Sequence, residues 1–265
     1  MNHFQSAPSL PKSSIRQSTT EPASSGAVRC PNCLMRTYCH SADGLPDVAA
    51  PRRRRLANGE VLYNAEDPAY SIYAVRFGLL KREVTGEDGR TQITAFHLAG
   101  DMVALDAVCG GVHAASSSAL SDSEVCVIPL HMLKPLLDAT PQVRARLLES
   151  LAKELTEMQF NLLALGSMRA EERLAKFLAD LSARLGRLGY SRVEFVLQMT
   201  REEIGSYLGL TLETVSRLFG RFAKAGVIEV KNRHVKLIDI EGLREIAGLP
   251  SRRACGAGHG AAPLA

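Results

Sequence analysis

The stretch that decides the fold is TREEIGSYLGLTLETVSRLFGRF, residues 200–222. Thr200 is suited to cap a helix, and Glu203 three residues on completes a capping box, each side chain satisfying a backbone N–H of the other. Ile204, Tyr207 and Leu208 share one apolar face at helical spacing. Gly209 supplies a sharp turn, and Thr211 opens a second helix that turns Val215, Leu218 and Phe222 inward. Leu212, Glu213, Ser216, Arg217 and Arg221 are then left facing outward. A recognition helix reads base edges in the major groove with such residues. Arg bonds guanine O6 and N7, Glu accepts from cytosine N4, and Ser is permissive.

Two short strands follow, joined by a turn at Lys231–Asn232–Arg233, which reads as a wing. Between 199 and 237 there are seven Lys or Arg and four Asp or Glu, a surplus that suits phosphate contacts. A helical hairpin with solvated charges is the plainer alternative. It leaves the cap, the turn glycine and the wing as coincidences.

Upstream, AEERLAKFLADLSARL (170–185) predicts an amphipathic helix ending near Gly186 and Gly189. Before it, Leu148, Leu151, Leu155, Met158, Leu162 and Leu165 are spaced 3, 4, 3, 4, 3 on a helix opened by Thr140–Pro141. That narrow stripe either covers the chain's own core or forms a two-stranded seam between subunits, and the spacing favours the seam. Glu154 and Glu157 stand close to it, where like charges would oppose pairing. From about 59 to 130 the period shortens to alternating runs broken by glycine, predicting antiparallel strands, with a hairpin at Gly86–Gly89 between LLKREV and TQITAFHL.

The remaining signal is CPNCLMRTYCH, residues 30–40, with Cys30, Cys33 and Cys39 within ten positions and His40 beside the last. Six cysteines are too few and too unevenly placed for a disulfide scaffold, so a clustered subset reads as metal-binding or redox-active. An iron–sulfur site, a tetrahedral zinc site and a thiol switch all remain open on these residues alone. Cys255 lies in a Gly-rich tail and reads as a free thiol. The chain has no apolar run long enough to span a membrane and no secretory leader pattern, so a cytoplasmic protein is expected. A net charge of +4 only weakly indicates an anionic partner. No second cluster motif and no Gly-rich nucleotide loop is present, which argues against an electron-transfer protein or an enzyme.

Residues 200–222 closely resemble the recognition region of the CRP/FNR family of bacterial transcription regulators. ITAFHLAGDMVALDA (93–107) is similar to that family's β-roll signature, and AEERLAKFLADLS to the helix that opens its DNA-binding domain. The resemblance runs from roughly residue 30 to 247 and implies an α+β fold. Its parts are a disordered tail (1–28), a cysteine-rich loop (29–50), a cyclic-nucleotide-binding-like β-roll (51–135), a long dimerisation helix (136–166), a C-terminal winged helix-turn-helix (167–250) and a flexible tail (251–265).

Cyclic-nucleotide-binding members carry Gly-Glu shortly after Gly-Asp and later an Arg-Ser pair. Here Ala104 and Leu105 take the first place and GGVHAASSSAL (110–120) has no arginine, so no cyclic nucleotide is expected. The cysteine spacing resembles the oxygen-sensing fumarate and nitrate reduction branch, whose fourth ligand lies in a strand leading to Ile-Pro. SEVCVIP (123–129) therefore nominates Cys126, with Cys109 in AVCGGVH as its rival. The resemblance implies a [4Fe–4S] cluster on Cys30, Cys33, Cys39 and Cys126 in each subunit, and a homodimer when the cluster is intact. It further implies palindromic TTGAT-like DNA sites read by Glu213, Ser216 and Arg217, and contact with RNA polymerase, for which the loop at 85–91 is a candidate. Arg52–Arg55 is a solvated basic run or a second such contact.

Overall fold

The computed structural model describes residues 52–249. Cys30, Cys33, Cys39, His40 and Cys255 lie outside the described residues.

Eight strands make two antiparallel four-stranded sheets, because the alternating runs bury side chains on both faces. One sheet has the order β1 (Arg52–Leu56), β8 (Ser123–Pro129), β3 (Ser71–Phe77), β6 (Met102–Val103). The other runs β2 (Val61–Tyr63), β7 (Ser116–Ala119), β4 (Leu79–Thr85), β5 (Thr91–Leu98). Leu56, Leu62, Val75, Leu80, Val103 and Val125 fill the space between them. The expected hairpin joins β4 to β5, with the Gly86 N–H donating to the Arg90 carbonyl at 2.9 Å.

The outer faces are also covered. On the first sheet, Ile72, Ala74, Cys126 and Ile128 pack with Leu133 and Leu136 of helix α1 (Leu130–Ala139) and with Val143 and Leu147 of helix α2 (Pro141–Ser167). Helix thus begins at Leu130, directly after the last roll strand. On the second sheet, Leu79, Ile93, Phe96 and Leu98 enter the core of the C-terminal part. That part contains α3 (Ala170–Arg187), β9 (Glu194–Val196), α4 (Arg201–Leu208), α5 (Leu212–Lys224), β10 (Ile228–Lys231), β11 (His234–Leu237) and α6 (Ile240–Ile246). Its three strands pair in the order β10, β11, β9. The wing therefore carries a third strand, β9, beyond the two expected from the sequence.

Of the expected seam residues on α2, Leu162 is 69% exposed, Leu148 and Leu155 are nearly as open, and Met158 is about half-exposed. Leu151 instead packs on the roll's helix-covered core. Leu165 is only just exposed and approaches Gly209, 2.9 Å from where a Cβ there would stand. Glu154 and Glu157, close to the seam, each have a cation of the same chain nearby. Glu154 pairs with Arg82 of β4, and Glu157 lies 3.8 Å from Lys153. Placement on a helix cannot foresee a partner 72 residues away.

Candidate nucleic-acid interface and cysteine site

The capping box forms as the sequence predicts. The Glu203 N–H donates to Thr200 Oγ1 at 3.1 Å, and the Thr200 N–H donates to Glu203 Oε2 at 2.8 Å. The turn needs two glycines. Gly209 has φ 62°, and a Cβ at Gly205 would stand 2.6 Å from the Leu210 carbonyl oxygen, so the chain can fold back only where that side chain is missing. Thr211 caps α5 by accepting from the Thr214 N–H at 3.2 Å. Val215, Leu218 and Phe222 are buried, and Phe219 joins them.

Leu212, Glu213, Ser216, Arg217 and Arg221 all face solvent, as does Thr211 at the helix start. The amide N–H of Glu213 and the Thr211 hydroxyl hold the Glu213 carboxyl below the ordinary carboxylate range, so it is an ionised acceptor. Arg217 extends freely apart from a 3.4 Å approach of Nη2 to Thr214 Oγ1. Arg221 is tied to Glu171 at the start of α3 at 2.6 Å, an engagement the sequence did not disclose. At the wing, Lys231, Asn232 and Arg233 are exposed, and Asn232 has φ 56°.

Sequence reasoning also missed how the roll holds the helix-turn-helix. The Ile93 N–H of β5 donates to Ser206 Oγ of α4 at 2.9 Å, and Lys81 Nζ lies 3.3 Å from Glu203 Oε1. Phe96, Phe177 and Tyr207 form a ring cluster with centroids 5.1–6.1 Å apart, and the Tyr207 hydroxyl donates to Asn161 Oδ1 of α2 at 3.1 Å. Asp101, after β5, accepts from Lys153 of α2 at 2.8 Å and pairs with Arg184 of α3. Its carboxyl remains below the usual range although burial pushes it up, because Arg184 and Lys153 outweigh that burial. These groups border a cleft of about 480 Å³ between roll, α2 and α3. His97 lines it, and burial drives its imidazole down to about 3.

Comparison with known proteins agrees with this arrangement. A cyclic nucleotide-binding domain model matches residues 53–140, and a Crp-like helix-turn-helix domain model matches residues 172–246. Transcriptional regulatory protein btr of Bordetella pertussis is 43% identical over 87% of this chain and 98% of that protein. The fumarate and nitrate reduction regulatory protein of Escherichia coli is 39% identical over 84% of this chain and 91% of that protein. Among solved structures, FixK2 of Bradyrhizobium japonicum superposes with a TM-score of 0.69 at 31% identity, over 75% of this chain and 98% of that one. The chain belongs to the CRP/FNR family of transcription regulators. The relatives named above are regulators, and the regulators of this family are not enzymes.

Within that family's roll, Cys126 occupies the centre of β8, opposite Arg53 of β1 and Ala74 of β3. It is 7% exposed and points away from the roll interior, into the cluster under α1 and α2. Cys109 ends a short 3-10 helix, Leu105–Cys109, and is exposed. Among the described residues no three His, Cys, Asp or Glu side chains gather into a metal site, so any such site draws on ligands outside them. At the place of the Gly-Glu pair, Ala104 has φ 63° and Leu105 is buried. Ala104 thus makes a left-handed turn, and Leu105 contributes a core side chain there and not a carboxylate. No helix among the described residues is long and apolar enough to cross a membrane.

Proposed function

We propose that this regulator senses oxygen through a [4Fe–4S] cluster held by Cys30, Cys33, Cys39 and Cys126. As a cytoplasmic dimer without oxygen it binds palindromic TTGAT-like sites and, with RNA polymerase, controls genes of anaerobic metabolism. The observation that carries this reading is the register of Cys126 with Arg53 on β1. β1 is the strand by which the chain arrives from the cysteine loop, and Cys39 lies thirteen residues before Arg52. Thirteen residues reach about 45 Å when extended, ample for the loop to close on Cys126. The thiolate donor set suits iron and sulfide, and relatives at about 40% identity are named fumarate and nitrate reduction regulators. When bound, the cluster would supply reactivity towards dioxygen.

The chain's own residues do the rest. Cys126 sits on the sheet face that packs on α1 and the start of α2, so a ligand held there bears on the helix that carries the seam. Leu148, Leu155, Met158 and Leu162 form the exposed centre of the proposed dimer contact, with Leu165 at its edge and Leu151 backing it from the roll side. Pairing would set two copies of α5 about one DNA turn apart, with Thr211, Glu213, Ser216, Arg217 and Arg221 towards the half-site. Cyclic nucleotide is not the signal in this reading. Leu105 replaces a ribose-binding carboxylate, and both cations on β4 are engaged, Lys81 by Glu83 and Glu203 and Arg82 by Glu154.

Anaerobic purification with iron and acid-labile sulfide assays tests the proposal. About four irons and four sulfides per chain are expected, with visible absorption that bleaches in air. Cys126→Ser should abolish both, and Cys109→Ser should leave them intact. Colourless protein carrying zinc would overturn oxygen sensing and leave DNA binding standing.

A further inference from the structure

Arg201 occupies the first position of α4, the end of a helix at which its dipole disfavours a cation. Its guanidinium is nonetheless drawn inward. Cζ lies 3.3 Å from the ring centroid of Phe219 in α5, Nη2 donates to the Asn232 carbonyl at 3.1 Å, and Nη1 is buried without a partner. Burial pushes its pKa down to about 10. Dipole, desolvation and an unspent donor all oppose this placement. The arrangement gains a link between three pieces: the start of α4, the recognition helix through Phe219, and the wing tip through Asn232.

A second tie supports the first. Arg233 folds back so that Nη1 donates to the Gln198 carbonyl at 3.1 Å, while the Leu197 N–H donates to the Arg233 carbonyl at 2.8 Å. Two of the wing's cationic neighbours are thus spent on fastening the turn. Lys231 is exposed, and its ammonium has no partner among the described residues.

We propose that Arg201 is a positioning residue of the DNA interface. It pins the wing turn to the recognition helix so that Lys231 meets a backbone phosphate while α5 lies in the groove. This rests on the DNA-binding reading above. Stacking on an aromatic face while donating in the guanidinium plane is a geometry that arginine offers and lysine does not.

The test uses the full chain, purified anaerobically, and a duplex carrying a palindromic TTGAT site beside a scrambled one. Arg201→Met keeps the apolar contact on Phe219, and Arg201→Lys keeps the charge. Both should lower the slope of log affinity against log salt by about one, the signature of one lost phosphate contact. They should weaken both duplexes by the same factor, so the ratio between them is unchanged. Lys231→Ala should give the same loss, and adding Arg201→Met to it should give nothing further. A slope that the Arg201 variants leave intact, or losses that simply add, would overturn the proposal. So would losses that follow a lowered melting temperature with the slope unchanged, since those describe a merely structural arginine. A wild-type chain that binds neither duplex would overturn the DNA-binding reading, and this inference with it.

Discussion

Glu213 and Arg217 stand on the exposed face of α5, one an ionised acceptor and the other a nearly unencumbered donor. Arg217→Ala should cost about 1–3 kcal/mol per half-site contact and relax the preference at one base pair, read by binding to singly substituted duplexes. Uniform weakening across all of them would reduce Arg217 to a phosphate contact. His97 gives a separate handle. Its folded pKa of about 3 lies below the ordinary 6.5, so between those values the unfolded chain binds a proton that the folded chain refuses. Stability is therefore full above about pH 6.5 and falls with acidification through that window, by up to about 1.4 kcal/mol per pH unit. Urea unfolding from pH 7 to 5 should show this slope, and His97→Gln should reduce it by one proton's worth.

At the scale of elements, α2 carries Leu148, Leu155, Met158 and Leu162 on a face that nothing among the described residues covers, although isolated apolar patches of that kind are uncommon on monomers. Leu155→Asp with Leu162→Asp should convert a dimer to monomer in sedimentation without loss of helix content. Retention of the dimer would place the contact elsewhere. The helix itself, the winged helix-turn-helix and the roll were legible in the sequence, because periodicity, the Thr200–Glu203 box and the Gly209 turn are local signals. Ser206 was not. It accepts from Ile93, 113 residues away, and no pattern along the chain marks it. Ser206→Ala should cost roughly 1 kcal/mol, since a largely sequestered amide loses its partner. The engagement of Arg221 by Glu171 and of Glu154 by Arg82 escaped for the same reason: pairings across elements leave no spacing to read. The cysteines at 30–39 stand as candidate ligands by residue type and lie outside the described residues, and Cys126 was nominated only through resemblance.

At the scale of the whole molecule, roll and DNA-binding part share one hydrophobic core, from Leu79 and Ile93 through Phe96 to Leu174, Leu178, Ile204 and Val215. Asp101 adds a charged knot that holds Lys153 and Arg184 together. The expected result is a single calorimetric transition, with calorimetric and van't Hoff enthalpies equal. Two resolved transitions would show that the shared core contributes little. Asp101→Ala, which strands Arg184 in the cleft and leaves the half-exposed Lys153 only Glu157, should lower that single transition and not split it. The same shared core bears on dissection of the chain. A fragment cut near residue 167 to isolate the DNA reader would leave behind Leu79, Ile93, Phe96 and Leu98 and carry their apolar partners into water. Such a truncation would be sticky and unreliable as a stand-in for the whole regulator, and a fusion that swapped in a foreign sensor would have to supply a matching sheet face.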